Sequence, residues 1–400
     1  MSSSPGPASQ PSFSAPSAEA HPAPVTPLAA RVISVEEHEE FLRRHPEASF
    51  LQNPRWGAVK HEWRSESVGL LAEGRVVGAA LVLYRRLPVP AGVPVLGRAS
   101  LAYITEGPVL DGVVPLAEAL RVLIAHVKAE GAFELRLGLP GVVRRWDGDA
   151  VRRALKTTEH ARLSELESAM DEDRLAEQET LRSLGFRAPE ATDDFGTGQP
   201  LHQARIPLEG DVEAVLLRMN QTSRSETRKS ARTGLTIEHG GRELLPAFHA
   251  LYLETAEREH FTGRPLSYFE RLLDVMGPSP IAEVEVLVAS YEDDPLAAAL
   301  AIRQGEFAWY PYGGSTARER KRHAPRALQL EQITSAVESG RCWYDLGGVS
   351  GSLSQDHKAS GLTLFKTAMG ADIVQTHGEW SLPLNRALSA AFHLYLKRRG

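Results

Sequence analysis

The sequence predicts an α/β (α+β) protein built from two tandem domains of one architecture, with a cleft between them. Three observations support this fold class. The same order of helices and strands occurs once before and once after residue 200. A length of 400 residues exceeds what one ordinary hydrophobic core uses. Hydrophobic residues make up 42% and charged residues 24% of the chain, which is typical of globular proteins.

The first copy has five elements, each predicted from the spacing of its apolar residues. They are a helix from Val35, a hairpin over 67–88, a strand from Ala99, a helix from Leu116 and a strand from Phe133. The hairpin has two apolar runs around a turn at Glu73-Gly74. The helix from Leu116 has apolar residues at steps of three and four.

The second copy repeats these element types in the same order. They are a helix over 242–259, a hairpin over 283–302, a strand from Phe307, a helix from Pro325 and a strand from Cys342. We expect the hairpin to turn at Asp293-Asp294, and Cys342 to lie in a buried strand as a core residue rather than a nucleophile. This order of elements is that of the GNAT-type acyltransferase fold, so two GNAT-like domains are predicted.

Two stretches fall outside the repeated units. Residues 1–30 are expected to form a disordered leader, because Ser, Pro and Ala make up 21 of them and leave little bulky apolar surface. The segment 157–184 has eight acidic and three basic residues and is predicted to form a short charged helical arm. The first domain is expected over 31–200, with this arm inside it, and the second over 201–377.

Composition excludes several classes of protein. A net charge of −6 argues against a DNA-binding protein but allows local basic patches. One cysteine excludes a disulfide framework within the chain and fits a reducing cytoplasm. No apolar run approaches the ~18 residues that span a bilayer. The 14 histidines lack zinc-ligand spacing, so we expect a cytoplasmic protein with no metal ion and no cofactor.

The loops before the central helices bear on the acyl donor. Acyl-CoA binding in this fold uses closely spaced glycines, whose bare backbone N–H groups reach the pyrophosphate. The first copy has TEGPVLDGVVPLAEAL at this place, and the second has GGSTARERKRHAPRALQLEQ, in which six of the eight residues 318–325 are bulky and mostly charged. We therefore expect an activated acyl donor other than coenzyme A.

Four motifs stand out in the second half: WYPYGGST (309–316), YDLGGVSG (344–351), GLTLFKTAMGA (361–371) and GEWSLPLN (378–385). They occur in the order and spacing of the Fem family, which the chain resembles from about Arg31 to its C-terminus. Weaker similarity lies in 49–60, 102–111, 224–234 and 252–269. Members of that family are aminoacyl-tRNA-dependent peptidyltransferases of peptidoglycan interpeptide bridges. The resemblance implies two GNAT-like domains, with 378–400 returning to complete the first.

The resemblance also implies site residues. The catalytic pair would be Phe365 and Lys366, and the precursor-binding residues Lys60, Arg264, Tyr268, Tyr310 and Tyr312. Two features depart from the family pattern. Leu139-Pro140 replaces an acidic residue before proline, so a general base is missing there. The charged segment 157–184 does not lie where the family's coiled coil is inserted, which leaves its role open.

The implied chemistry assigns a role to each charged residue. An amine attacking an ester carbonyl forms an oxyanion, which a desolvated Lys366 would stabilise by about 3–4 kcal/mol, with the Phe365 backbone as a second donor. The alternative is that the lysine stem packs and its ammonium reaches water. Asp111 and Asp345 are weak candidates for a general base, and turn or cap roles explain them equally well.

The substrate-binding assignments also have structural alternatives. Arg264 can bind a pyrophosphate bidentately and Lys60 as a point charge, although either could form a surface ion pair instead. Tyr268, Tyr310 and Tyr312 could each be a core aromatic residue whose hydroxyl reaches water. Tyr310 and Tyr312 alternate across a proline in a predicted strand, so we expect both on one face.

Two basic segments are candidates for contact with tRNA phosphates. Their residues are Arg224, Arg228, Lys229, Arg232, Arg320, Lys321 and Arg322. The alternative is that both are simply solvated charged faces.

The resulting hypothesis is transfer of glycine, alanine or serine from aminoacyl-tRNA to the side-chain amine of the third stem residue of a peptidoglycan precursor. The acceptor is either UDP-MurNAc-pentapeptide or a lipid-linked muropeptide, and the second implies peripheral membrane contact. Two alternatives stay open: a GNAT-type N-acyltransferase that uses acyl-CoA, and a non-catalytic protein that binds precursor or RNA. The sequence leaves open the transferred amino acid, the acceptor form and the stem diamino acid.

Overall fold

A computed structural model describes residues 28–87, 99–157, 160–190 and 198–397. Within these ranges the strands are β1 (Ala29–Val32), β2 (Arg64–Ala72), β3 (Arg75–Arg86), β4 (Ser100–Ile104), β5 (Val109–Leu110), β6 (Ala132–Leu137), β7 (Val142–Trp146), β8 (Ala169–Met170), β9 (His202–Pro207), β10 (Thr236–Gly240), β11 (Ala282–Tyr291), β12 (Asp294–Gln304), β13 (Phe307–Ser315), β14 (Trp343–Val349), β15 (Asp372–Thr376) and β16 (Trp380–Pro383). The helices are α1 (Val35–Arg43), α2 (Trp56–Val59), α3 (Leu116–Ala129), α4 (Gly148–Ala154), α5 (Glu172–Ser183), α6 (Val212–Arg218), α7 (Gln221–Ser230), α8 (Leu245–Arg258), α9 (Leu266–Met276), α10 (Ala324–Glu338), α11 (Ser360–Ala368) and α12 (Arg386–Lys397).

The strands form two sheets of the same design. The first has the order β1-β2-β3-β4-β6-β16, with β5 beside β3, and the second has β10-β11-β12-β13-β14-β9-β15-β7-β8. In each sheet an antiparallel meander leads to a parallel pair, β4 with β6 and β13 with β14. Helices α3 and α10 connect these parallel pairs, because parallel neighbours need a crossover connection. The predicted pair of GNAT-like domains is confirmed.

The two hairpins have two-residue turns in the left-handed region, as such tight turns require. The first turn is at Glu73 and Gly74, with φ of 51° and 78°. The second is at Glu292 and Asp293, one residue earlier than predicted, with φ of 48° and 65°. Asp294 instead pairs with Tyr291 as the first residue of β12.

The prediction for Cys342 is wrong. The residue is exposed and precedes β14, which begins at Trp343. Its backbone N–H donates to the Glu306 carbonyl over 2.8 Å, so it belongs to the edge of a turn rather than to the core.

The ends of the predicted segments differ from the structure at several places. The leader falls largely outside the described residues, but β1 already begins at Ala29. In the segment 157–184, the helix α5 covers only the second half, and β8 pairs with β7 in the second sheet. This segment contacts both halves, because Leu163 is buried in the second core and Leu181 in the first.

The chain crosses between the two halves more than once. Strands β7 and β8 precede residue 200 but belong to the second sheet, and β16 follows that sheet yet pairs with β6 of the first. The halves also share a core, in which Phe50 and Trp56 pack with Phe248, Phe269 and Trp309. This shared core fills part of the predicted cleft.

Among the described residues, no helix is both long and apolar enough to cross a membrane.

Candidate active site

The central feature of the second sheet is a separation of β13 from β14. The two strands pair only as far as Trp309 and Asp345. The pairing of β13 with β12 has a bulge opposite the stretch from Leu300 to Ile302. The pairing of β14 with β9 is irregular just after Asp345. Because bulges bend strands and re-aim side chains, the strands diverge there. The neighbouring side chains form the candidate site.

The bulge in β13 overturns the prediction that two tyrosines share one face. Tyr312 packs against the core shared by the two halves, whereas Tyr310 packs against the core of the second sheet. The extra residues at Tyr310 and Pro311 break the alternation of side chains, and proline tolerates this place because a bulge lacks one ladder bond. Burial raises the pKa of Tyr310 to about 12.

Four of the predicted substrate-binding residues lie together. The hydroxyls of Tyr268 and Tyr312 are 3.0 Å apart and hydrogen-bonded. The Arg264 guanidinium lies 4.6 Å from the centre of the Tyr268 ring, and the Lys60 ammonium lies 5.5 Å from the same ring. We call Lys60, Arg264, Tyr268 and Tyr312 the Lys60 cluster.

The Lys60 cluster has the electrostatics of an anion site. Burial and, to a smaller extent, the nearby Arg264 charge lower the pKa of Lys60 to about 8, against the opposing effect of the Glu62 charge. The groups that act on the Arg264 charge are the tyrosines Tyr312, Tyr268 and Tyr252. Two cations that repel each other would gain from a bound anion.

Lys366 lies in the last turn of α11 and is only 7% exposed. Its ammonium donates to the Gly348 carbonyl over 2.7 Å. Burial lowers its pKa to about 8, and the charge of Asp345 opposes that shift. An ammonium has three donors, so two others are available to a substrate. The alternative of a lysine with its ammonium in open water does not fit this geometry.

Phe365 is half-buried beside Lys366 and packs against the second core. The Arg326 guanidinium lies 4.8 Å from the centre of its ring, and a second contact at 3.5 Å joins Arg326 to Glu226 of α7. The contact with Arg326 fixes the ring next to the buried ammonium.

The two candidate bases have different surroundings. Asp345 is buried and accepts hydrogen bonds from Arg205 Nε over 2.9 Å and from the Gly347 N–H over 2.6 Å. Asp111 is half-buried after β5, where it caps a turn by accepting from the Val113 N–H over 3.0 Å. Asp345 thus stabilises the charged form of Lys366. Asp111 caps a turn, which is the structural role expected of an aspartate at such a place.

The two basic segments form one surface. Arg322 donates to the Thr233 carbonyl over 2.5 Å, which joins the end of the α7 region to the loop before α10. Of the predicted contacts, Lys229, Arg232, Arg320 and Lys321 are exposed. Lys321 lies 3.5 Å from a Glu319 carboxylate oxygen. The other three have contacts of their own, since Arg224 binds the Leu217 carbonyl, Arg228 pairs with Glu213 and Arg322 covers the Tyr291 ring.

A cavity of about 820 Å³ lies on the side of the second sheet that faces the first domain. Its wall includes Leu139, Arg144, Glu177, Arg205 and Trp309, while Lys366 and the Lys60 cluster are not part of it. Through Arg205, which holds Asp345, the wall of the cavity is connected to the surroundings of Lys366. Leu139 stands where the sequence analysis found an acidic residue missing. Glu177 lines the same cavity, so a carboxylate is present there.

The sequence analysis missed three residues of the site. Arg205 holds Asp345, Arg326 covers Phe365, and the Trp56 ring lies 5.0 Å from the Lys60 ammonium. Two of them left a signal in the sequence. Arg205 is a charged residue between Ala204 and Ile206 in an apolar strand, and Trp56 lies four residues before Lys60, the spacing of neighbours on one helix face. The contact of Arg326 with Phe365 joins α10 to α11 and left no such signal.

The chain matches known proteins over most of its length. The family model described as the FemAB family matches residues 33–280 and 279–397. The chain belongs to the FemAB family. The lipid II:glycine glycyltransferase of Staphylococcus saprophyticus is 23% identical over 421 residues, covering 89% of this chain and 93% of that protein. The enzyme of the same name from Staphylococcus aureus is 23% identical over 428 residues, with 89% and 93% covered.

Similarity to a solved structure extends to the fold. The crystal structure of FemX superposes with a TM-score of 0.74 at 21% identity, covering 90% of this chain and 99% of FemX. The protein, a member of the FemAB family, has this fold. Within it, Lys366 is buried in the second half, and the Lys60 cluster lies at the boundary between the two domains.

Proposed function

We propose that the protein is an aminoacyltransferase of peptidoglycan bridge synthesis, which moves an amino acid from aminoacyl-tRNA to the side-chain amine of the third residue of a precursor stem peptide. The observation that carries the proposal is the buried ammonium of Lys366 at the divergence of β13 and β14. The glycyltransferase names of the relatives support the same chemistry.

The reaction needs no covalent enzyme intermediate. The neutral acceptor amine attacks the ester carbonyl, a C–N bond forms, and the C–O bond to the terminal ribose breaks. The proton lost by the amine goes to the ribose hydroxyl that leaves, directly or through water. Lys366 stabilises the oxyanion between these steps, because a fixed cation in a dry site needs no reorganisation.

The Lys60 cluster would hold the diphosphate of the precursor. Arg264 offers a planar fork for two phosphate oxygens, and Lys60 offers a point charge. The tyrosine pair Tyr268 and Tyr312 adds hydroxyls at the same place, 3.0 Å from each other. A bound diphosphate would also raise the pKa of Lys60 from about 8, which favours its charged form.

The surface formed by Lys229, Arg232, Arg320 and Lys321 would hold the tRNA backbone. This surface reaches the proposed reaction centre through Glu226, Arg326 and Phe365, which contact one another in that order. The acceptor and donor would then approach Lys366 from different elements.

A direct assay tests the proposal. The protein is incubated with tRNAs charged with glycine, alanine or serine and with either the nucleotide-linked or the lipid-linked precursor, and the products are weighed by mass spectrometry. We expect one added amino acid mass that disappears after ribonuclease treatment. Product formation from acyl-CoA without tRNA, or precursor binding without turnover on any charged tRNA, would contradict the proposal.

A further inference from the structure

Arg326 lies in the first turn of α10, where its side chain meets helices α7 and α11. Its guanidinium lies 4.8 Å from the centre of the Phe365 ring. It also lies 3.5 Å from a carboxylate oxygen of Glu226 and contacts the sulfur of Met369. The side chain is only 13% exposed. A positive charge is thus largely removed from water where three helices meet.

The contacts of Arg326 neutralise its charge only weakly. The distance to Glu226 is longer than that of an ordinary hydrogen bond, and a thioether sulfur is a weak acceptor. Burial lowers the pKa of Arg326, and the charge of Glu226 offsets only part of this effect. The first turn of a helix also disfavours a cation, because the helix dipole is positive there. Arg326 is therefore poorly stabilised by the fold itself.

A second buried arginine shows what stronger neutralisation requires. The side chain of Arg303 on β12 is 10% exposed, close to the 13% of Arg326. Arg303 donates to Glu283 over 2.9 Å and to Glu285 over 2.6 Å. Burial acts to lower its pKa, yet these carboxylates outweigh burial and the pKa is raised. Because the two arginines are similarly removed from water, their partners make the difference, and Arg326 would gain from a closer anion.

The place that Glu226 occupies can be reached from solvent. Its side chain is 36% exposed, so a ligand that displaces the carboxylate can approach Arg326 from outside. Lys229 is exposed three residues later on α7, which puts it on the neighbouring turn of the same helix face. The basic surface to which Lys229 belongs therefore continues inward to Arg326.

We propose that Arg326 binds the phosphodiester that precedes the terminal, aminoacylated ribose of tRNA, and that this phosphate displaces Glu226. A guanidinium can donate two parallel N–H bonds to a phosphate, which the long contact with Glu226 does not use. Only one ribose separates this phosphate from the ester. A cation that holds it therefore places the ester near Phe365 and Lys366. The inference rests on the proposed function and adds to it a residue that positions the donor.

Two tRNAs test the contact. One is full-length and uncharged, and the other ends one nucleotide earlier, so it lacks the terminal adenosine and the phosphate that precedes it. Arg326→Gln should weaken binding of the full-length tRNA about tenfold and leave binding of the shortened one unchanged, because only the first offers the charge-assisted contact. Fluorescence anisotropy measures both affinities. Equal losses on the two tRNAs, or no loss on either, would overturn the proposal.

The displaced carboxylate gives a second expectation of opposite sign. Glu226→Gln removes the competing anion and should strengthen binding of the full-length tRNA roughly threefold. Glu338→Gln is the matched control, since it removes the same charge from an exposed glutamate at the other end of α10 and should leave the affinity unchanged. An equal gain in the control would indicate a general charge effect and contradict the exchange. Unchanged or weaker binding in Glu226→Gln would contradict it as well.

Salt dependence separates a phosphate contact from a structural role. Loss of one contact with single-stranded nucleic acid lowers the slope of log K against log salt by about 0.7. Arg326→Gln should show this change with the full-length tRNA, whereas Arg121→Gln, at an exposed arginine on α3, should not. An arginine that only orders the Phe365 ring would change the affinity but not the slope, so an unchanged slope would refute the contact. Thermal unfolding checks that each variant keeps the fold; if Arg326→Gln does not fold, Glu226→Gln decides.

Activity separates this inference from the proposed function. Excess coenzyme A, which also carries phosphates, should not displace the tRNA, and displacement that depends on Arg326 would overturn the inference. Transfer from charged tRNA, together with equal effects of Arg326→Gln on the two tRNAs, would keep the proposed function and refute the phosphate contact. A confirmed phosphate contact without transfer from any charged tRNA would refute the proposed function and keep the contact.

Discussion

At the scale of single residues, the site depends on two lysines whose ammonium groups are partly or fully removed from water. Both have a pKa of about 8 because burial disfavours the charged form. They differ in their neighbours: Lys60 lies near the cation of Arg264, whereas Lys366 lies near the carboxylate of Asp345. Lys60 thus suits the binding of an anion, and Lys366 suits an anion that exists only during the reaction.

The first prediction concerns the role of Lys366. Lys366→Met should lower kcat by about 10²–10³, the usual effect of removing one oxyanion-hole donor, with little change in the affinity for precursor. Steady-state kinetics and calorimetric titration of the precursor measure the two quantities. Lys128→Met, at an exposed lysine on α3, is the matched control and should retain full activity. Normal kcat in Lys366→Met would exclude the oxyanion role.

The second prediction concerns pH. The charged form of Lys366 is lost as pH rises through about 8, so kcat at saturating precursor should fall above that pH. Asp345 holds the pKa up, so Asp345→Asn should move this fall to lower pH, whereas Asp111→Asn should leave it in place. Profiles of kcat from pH 6.5 to 10 provide the measurement. An unshifted profile in Asp345→Asn would contradict the assigned pairing.

The third prediction follows from the same two pKa values by linkage. In the unfolded chain both lysines keep a pKa near ~10.4, so between about pH 8 and that value the unfolded state binds more protons. The contribution of these two groups to the free energy of unfolding should therefore increase as pH rises through this window. Urea denaturation at pH 7.5 and 9.5 measures it for the wild type and for Lys366→Met. The variant should show a smaller gain than the wild type.

At the scale of elements, bulges and glycines decide where side chains point. An added Cβ at Gly314 of β13 would lie 2.5 Å from backbone atoms of Leu251 and Tyr252 in α8, so glycine permits the close approach of helix and strand. In contrast, no atom lies within 4 Å of a Cβ added at Gly361 of α11. A side chain is therefore excluded at Gly314, whereas Gly361 has room for one.

The fourth prediction uses this contrast. Gly314→Ala should lower the free energy of unfolding by about 1–3 kcal/mol, because backbone cannot move aside as a flexible side chain can. Gly361→Ala should be neutral or stabilising by up to about 1 kcal/mol, since alanine favours a helix over glycine. Chemical denaturation of both variants gives the values. Equal stability of the two would show that α8 adjusts its distance from β13.

Much of the element order could be predicted from the sequence, because periodicity marks each helix and strand. The hairpin turn at Glu73-Gly74 and the helix from Leu116 agree with the structure. The face of Tyr310 could not be predicted, because a bulge shifts the alternation without leaving a clear signal in composition. Sequence similarity indicated Lys366, but its burial and its Gly348 partner depend on contacts across the fold.

At the scale of the whole molecule, a local basic surface coexists with an acidic overall charge. The chain has a net charge of −6, yet Lys229, Arg232, Arg320 and Lys321 share one surface beside the second core. This surface lies near the candidate site through the contacts of Glu226 with Arg326 and of Arg326 with Phe365.

The fifth prediction tests this basic surface. Replacing Lys229, Arg232 and Arg320 together by glutamate should weaken binding of tRNA and reduce the slope of log K against log salt, because fewer counter-ions are released. Fluorescence anisotropy at several salt concentrations measures both. Arg121→Glu, on α3 of the first domain, is the control. An unchanged slope in the triple variant would move the tRNA contact elsewhere.

The paths of β7, β8 and β16 limit how this protein can be recombined. A gene fragment cut at residue 200 would deprive one sheet of two strands, and a cut before Trp380 would remove an outer strand from the other. A chimera that exchanges half of the molecule with a relative must therefore carry several separate stretches of sequence. Shuffling at a single crossover point is expected to give insoluble products.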